Sequence, residues 1–221
     1  MQLARTGRTG FVTTMAMRAI AMVVITAAGA IRTIAAIEAA ATISLSIGLG
    51  GLGVPTPAFA EPTFTLTSKD FVPGKPVASA QLFNQGGCHG RNESPQLEWS
   101  GAPAGTKSFA ITMFDPDAPG PGWWHWAVVG IPADVHQLPS NASASGFLKR
   151  FSAVEARNDF GTVGYGGPCP PAGQSHRYIV TVYALGTGDL RLSPGQPAQM
   201  FDHEIGTKPL GRASMTVTYG H

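Results

Sequence analysis

Charged residues are scarce in this chain of 221 residues: Asp, Glu, Lys and Arg together make up 13% of it. The sequence pI of 8.7 comes largely from the first 60 residues, which hold 4 of the 15 basic residues but only 1 of the 13 acidic ones. The remaining 161 residues carry 11 basic and 12 acidic side chains and no cluster of Lys and Arg. The absence of a basic patch argues against a nucleic-acid-binding protein.

Long apolar runs are also absent. A membrane-spanning helix needs about 20 consecutive apolar residues, and Arg32 and Glu38 interrupt the apolar N-terminal region before that length is reached. Segment 39–54 is uncharged, but it is short and rich in Gly. A membrane anchor is therefore the weaker of two interpretations of this region.

The stronger interpretation of the N-terminal region is a secretory signal. Four Arg residues come first, an apolar segment follows, two prolines break it, and an Ala-Phe-Ala tripeptide ends at Ala60. This order is typical of a signal peptide with an Ala-x-Ala cleavage site. We therefore predict that residues 1–60 are a leader and that residues 61–221 form an exported domain, periplasmic or secreted. No Cys lies near the cleavage site, which argues against a lipid anchor.

Cysteine is scarce as well: only Cys88 and Cys169 occur, both in the predicted exported domain. Because an exported protein matures in an oxidising compartment, two thiols far apart in sequence favour a disulfide. Such a bridge would close a loop of about 80 residues and restrict the unfolded chain by roughly 4 kcal/mol. The alternative is a pair of unbonded, buried thiols.

The exported domain contains short apolar–polar alternations separated by turns rich in Gly and Pro, which are typical of β-strands. The predicted strands are 64–67, 96–99, 107–114, a central strand ending at Ile131, 176–185 and 212–219. The predicted helices are 148–156 and 194–205, the second with a Pro near its first turn. Strands and helices do not alternate, so the pattern predicts a mainly β fold, an antiparallel β-sandwich with one or two short peripheral helices.

Titratable and aromatic side chains are concentrated in segment 115–131. Asp115 and Asp117 lie in a turn braced by prolines, and His125 follows within a run of tryptophans. Acidic, imidazole and aromatic groups in one turn and one strand are what a small-molecule pocket needs. The alternative is an Asp-Pro turn that leads into a Trp-rich core strand and has no role beyond structure.

The strand predicted at 176–185 carries a second set of such groups. Side chains alternate between the two faces of a strand, so His176 and Tyr178 share one face and Arg177 lies on the other. We expect Arg177 to pair with a buried carboxylate rather than with a ligand. A His at the mouth of a strand is also common as a purely structural residue, and this alternative stays open for His176.

Three motifs occur in a fixed order: Asp115-Pro-Asp-Ala-Pro119, then Trp-His125, then Pro170-Pro171 followed by His176-Arg-Tyr178. Together they resemble the phosphatidylethanolamine-binding protein family. The run Gly-x-Asn-x-Ser-Pro-x-Leu-x-Trp at 90–99 is similar to the bacterial Raf-kinase-inhibitor-like (YbhB/YbcL) branch of that family. The resemblance implies a β-sandwich with a small pocket for phosphate or a phospholipid headgroup. The implied pocket residues are Asp115, Asp117, Pro119, His125, Pro170, Pro171, His176 and Tyr178.

The residue types agree with this implied chemistry. A carboxylate beside an imidazole raises the pKa of the imidazole. A protonated His125 or His176, oriented by Asp115 or Asp117, could then donate hydrogen bonds to a phosphoryl oxygen. Tyr178 would add a neutral donor.

Two classes of function follow from these expectations. The first is an exported binding protein for a small anion, without cofactor or metal, that acts as an inhibitor or an interaction module. Some relatives inhibit kinases or proteases, but export argues against a cytosolic kinase partner. The alternative is a hydrolase or a metal-dependent enzyme that uses the His and Asp cluster, for example to hold Zn²⁺. Ser175 is a poor nucleophile for His176, because neighbouring strand residues face opposite ways.

Overall fold

This computed structural model describes residues 63–207 and 209–221, which contain eight strands, one α-helix and one 3₁₀ helix. The strands are β1 (Thr65–Thr67), β2 (Leu97–Ser100), β3 (Ser108–Asp115), β4 (Trp123–Pro132), β5 (Gln137–Leu138), β6 (Val154–Glu155), β7 (Ser175–Leu185) and β8 (Pro209–Gly220). The helices are the 3₁₀ helix Leu148–Phe151 and α1 (Ala198–Gly206). The predicted leader and its cleavage site lie outside the described residues. No described helix is both long and apolar enough to cross a bilayer.

The strands form two antiparallel sheets, one ordered β1-β2-β5 and one ordered β6-β4-β3-β7-β8. Alternate residues of each strand turn towards the space between the sheets, where the main core lies. Trp99 of the small sheet meets Phe109 of the large sheet in this core, with ring centroids 5.3 Å apart. The predicted mainly β, antiparallel fold is confirmed.

β7 shows most directly how the sequence pattern fixes the direction of side chains. His176 and Tyr178 are buried on its inner face, whereas Arg177 is exposed on the outer face. This is the alternation that the sequence predicts. As a result, the first residues of the strand present an imidazole and a phenol to the interior.

The two predicted helices differ from the observed ones. The first prediction, 148–156, is mostly wrong, because only Leu148–Phe151 form a 3₁₀ turn. Ser152 then adopts a left-handed conformation with φ 56°, and β6 pairs with the edge of β4. The second helix begins at Ala198, four residues later than predicted, and Pro197 is its N-cap. Phe201 and Ile205 of α1 form a smaller second core on the outer face of the large sheet.

A disulfide joins Cys88 to Cys169, with the two Cα atoms 6.0 Å apart. The segments that it connects also pack closely elsewhere. The Phe83 N–H donates to the Pro168 carbonyl at 3.2 Å, and a Cβ on Gly167 would lie 2.2 Å from the Gln81 carbonyl oxygen. The disulfide therefore holds together two loops that are already in van der Waals contact.

We predict that the double variant Cys88→Ala/Cys169→Ala loses roughly 4 kcal/mol of the free energy of unfolding, because the disulfide closes a long loop in the unfolded chain. Urea denaturation of the variant and of the oxidised protein measures the difference. The reduced wild-type protein is the control and should match the variant. An unchanged urea midpoint in both would contradict the prediction.

Candidate functional site

A cavity of about 230 Å³ opens where the end of β3 meets the beginnings of β4 and β7. Antiparallel pairing produces this meeting, because Asp115 lies opposite Trp123 and Phe114 lies opposite Ile179. The residues that line the cavity are Asp115, Ala118, Pro119, Trp123, His125, Phe160, Cys169, Pro170, Pro171, His176 and Tyr178. The structure thus brings together every predicted pocket residue except Asp117.

Asp115 organises one wall of this cavity. Its Oδ1 accepts hydrogen bonds from the backbone N–H groups of Asp117 (2.8 Å) and Ala118 (3.1 Å). Its Oδ2 lies 2.7 Å from Nδ1 of His176, and both side chains are buried. Both carboxylate oxygens are therefore occupied by protein groups. Asp115 orients the imidazole and does not itself present a free oxygen to a ligand.

His176 lies between Asp115 and the exposed side chain of Gln174. Its Nε2 is 3.1 Å from Oε1 of Gln174. Asp115 holds Nδ1 of the ring, so Nε2 is the ring nitrogen that can change its partner. Gln174 is exposed and is not among the residues that line the cavity, so Nε2 is held by a side chain at the protein surface.

His125 differs from the expectation of a cationic imidazole. Its Nδ1 lies 2.6 Å from the Gly166 carbonyl oxygen, which can only accept, so Nδ1 carries a proton. Burial lowers the pKa of His125 to about 4 and outweighs the nearby carboxylate of Asp115, which acts in the opposite direction. The expectation is wrong for His125: this ring is neutral at pH 7.

Tyr178 places an unpaired hydroxyl in the buried part of the site. The residue is fully buried, and its Oη has no hydrogen-bond partner among the described residues. Burial, together with the Asp115 carboxylate, raises the pKa of this hydroxyl, so it remains a donor. Trp123 Nε1 is another buried donor without a partner among the described residues. Since buried polar groups usually have partners, two residues of the cavity lining carry hydrogen-bonding capacity that no described residue uses.

Asp117 lies outside the cavity and forms an ion pair with Arg177. Its Oδ1 accepts from the guanidinium at 2.6 Å, and its Oδ2 accepts from Nε at 2.9 Å and from the Arg177 backbone N–H at 2.8 Å. These hydrogen bonds lower the pKa of Asp117 to about 2. The partner of Arg177 is therefore a carboxylate, as expected, but an exposed one. The pair fastens the turn after β3 to the beginning of β7.

Four cavity residues are absent from the predicted set: Ala118, Trp123, Phe160 and Cys169. Ala118 and Trp123 lie inside the segment that the sequence singles out, and Cys169 adjoins Pro170. Phe160 has no such signal, because it lies in a loop without periodicity. It reaches the site through stacking on Phe83, with ring centroids 4.0 Å apart.

The enzyme alternative needs a nucleophile or a cluster of metal ligands at the cavity. The described side chains that line the cavity include no Ser or Thr, and Cys169 is bonded in the disulfide. Ser175 is exposed on the outer face, away from the site of His176. No group of three His, Cys, Asp or Glu side chains within residues 63–207 and 209–221 is arranged to hold a metal ion.

We predict that acidification from pH 6.5 to pH 4 destabilises the fold by about 3 kcal/mol through His125, because the unfolded chain binds a proton that the buried ring does not. His125→Asn keeps a donor for the Gly166 carbonyl but cannot titrate, so its stability should fall less over this range. Urea denaturation at pH 4 to 7 compares the two. Glu155, whose pKa burial raises, acts in the opposite direction in both proteins and cancels. Equal pH dependence in both proteins would contradict the assignment.

Comparison with known proteins identifies the family of this fold and site. The family model named Phosphatidylethanolamine-binding protein matches residues 67–220. YbcL of Escherichia coli (strain K12) is 42% identical over 159 residues, covering 71% of this chain and 87% of YbcL. LppC of Mycobacterium tuberculosis (strain H37Rv), which is named as a lipoprotein, is 33% identical over 202 residues, covering 82% of this chain and 94% of LppC.

The solved structures agree. The crystal structure of E. coli YbcL, described as a new member of the mammalian PEBP family, superposes with a TM-score of 0.69 at 41% identity, covering 73% of this chain and 99% of that chain. The homologue CT736 of Chlamydia trachomatis superposes with a TM-score of 0.61 at 28% identity, covering 72% of this chain and 99% of that chain. The extent of the sequence match and the shared sandwich show that this chain belongs to the phosphatidylethanolamine-binding protein family.

Proposed function

We propose that this chain is an exported binding protein whose cavity holds a small anion through a phosphoryl group, either free phosphate or a phospholipid headgroup. The observation that carries the proposal is the unpaired Tyr178 hydroxyl, buried beside an imidazole that Asp115 holds in place. An ionised phosphoryl oxygen is an acceptor only, and it would give this hydroxyl the partner that the described residues do not provide.

The donors around the cavity support a phosphoryl ligand. Tyr178 Oη and Trp123 Nε1 have no partner within residues 63–207 and 209–221, and His176 Nε2 is held there by an exposed amide. A tetrahedral phosphoryl group has several acceptor oxygens, so it can use donors from more than one wall. The three prolines of the lining, Pro119, Pro170 and Pro171, restrict the backbone and keep those walls in place.

The size of the cavity supports a headgroup rather than a larger molecule. Its volume of about 230 Å³ lies below the roughly 300–1,000 Å³ of pockets for drug-sized ligands. A phosphate or a phosphorylated small alcohol is of the right scale. The acyl chains of a lipid would stay outside.

We predict that Tyr178→Phe lowers the affinity for inorganic phosphate and for phosphoethanolamine by about 10- to 100-fold, the range for a hydrogen bond to a charged group. The fold should be at least as stable as the wild type, because the variant removes an unpaired buried hydroxyl. Isothermal titration calorimetry measures binding, and urea denaturation measures stability.

Tyr183→Phe is the matched control, because Tyr183 lies on the same strand but on its outer face and does not line the cavity. His176→Asn is a second variant: its amide can still donate to Asp115, but it has no counterpart of Nε2. Weak binding by Tyr178→Phe and His176→Asn, with normal binding by Tyr183→Phe, supports the proposal. If all four proteins bind equally, or if the wild type binds neither ligand, the proposal is wrong.

Export is part of this proposal and rests on three observations. Residues 1–60 have the order of a secretory signal. The folded domain contains a disulfide, which is typical of oxidising compartments. LppC, a relative that covers most of the chain, is named as a lipoprotein.

We predict that the full-length chain, expressed in a bacterium that secretes it, is recovered from the periplasm or the medium with Glu61 as its first residue. N-terminal sequencing and intact mass measure the cleavage position. A variant with Ala58 and Ala60 both changed to Arg is the control and should remain uncleaved, because signal peptidase sites require small residues. Recovery of the uncleaved wild-type chain from the cytoplasm would contradict export.

A further inference from the structure

The cavity contains little positive charge for a site proposed to hold an anion. None of the described residues that line it is Lys or Arg. Arg177 of β7 lies on the outer face and is paired with Asp117. Among the described lining residues, the ring N–H groups come from His125, whose pKa burial lowers to about 4, and from His176.

Carboxylates lie in and near the same space. Asp115 lies in the wall, and Asp159, which accepts a hydrogen bond from the Trp124 N–H at 2.7 Å, is close enough to act on the pKa of His125. The charge of Asp117 is offset by Arg177 outside the cavity. Tyr178, the remaining titratable group of the wall, offers a neutral donor. The cavity thus combines neutral donors with acidic surroundings.

We propose that the cavity selects a singly charged phosphoryl group, a phosphodiester or a protonated phosphomonoester, and rejects the doubly charged form. This inference rests on the proposed function and specifies its ligand class. Transfer of an ion from water into a protein cavity is costly unless opposite charges compensate it. One negative charge can be met by the donors of His176, Tyr178 and Trp123, whereas a second has no Lys or Arg opposite it among the described lining residues and faces the Asp115 carboxylate.

Dimethyl phosphate and methyl phosphate test the proposal, because they differ mainly in the second ionisation. Dimethyl phosphate remains a monoanion from pH 5.5 to pH 8, whereas a phosphomonoester becomes a dianion above about pH 6. If only the monoanion binds, the dissociation constant of methyl phosphate relative to that of dimethyl phosphate should be roughly 80-fold higher at pH 8 than at pH 5.5. Titration of the protein's own groups acts on both ligands and cancels in this ratio to first order.

The experiment is a titration of the purified exported protein with each ligand at both pH values. Binding is detected by calorimetry or by NMR of the Trp indole signals. Near-UV circular dichroism confirms that the protein is folded under both conditions. A ratio that does not change with pH, or tighter binding of methyl phosphate at pH 8, overturns the charge selection. Binding of neither ligand at either pH overturns the proposed function itself, so the two failures are distinguishable.

A gain-of-function variant provides an independent readout. Ala118 lines the cavity and supports Asp115 only through its backbone N–H, so its side chain can be changed without loss of that hydrogen bond. Ala118→Lys adds the missing cation and should reduce the pH dependence of the ratio, whereas Ala118→Gln, of similar length but neutral, should not. If Ala118→Gln has the same effect as Ala118→Lys, charge is not the cause and the proposal is wrong.

Discussion

The contact between Asp115 and His176 is the interaction on which the site depends. A buried carboxylate is stable only when donors satisfy its oxygens, and here two backbone N–H groups and one imidazole do so. The N–H groups belong to the turn after β3, and the imidazole belongs to β7. One side chain therefore shapes the turn, joins it to a neighbouring strand and sets the direction of the ring that faces the cavity.

The Asp117–Arg177 pair repeats this connection on the outside of the molecule. It links the same turn to the same strand, but in water, where an ion pair contributes little to stability. Its value is geometric, because Asp117 also accepts from the backbone of β7. The two acids of the Asp-Pro-Asp turn thus have different roles: one orients a ring of the cavity, and the other fastens the turn from the solvent side.

Burial shifts the pKa values of His125 and Tyr178 so that the uncharged form of each is favoured. It lowers the pKa of His125 and raises the pKa of Tyr178, so both remain uncharged at pH 7. The pocket is consequently built from neutral donors and aromatic walls rather than from cations. The part of its lining formed by Cys169 and Phe160 is supported by the disulfide to Cys88 and by the stacking of Phe160 on Phe83, which both join residues far apart in the sequence.

The residue pattern alone predicts the alternation in β7 and the proline-braced turn, because both are local properties of the backbone, with a period of two along a strand and a fixed φ at proline. The family motifs likewise located most of the cavity wall. Three features come from the packing of the folded chain instead: His125 is neutral, Asp117 faces solvent and Phe160 joins the site. These outcomes depend on burial and on partners distant in sequence, and the residue pattern of a single segment contains neither.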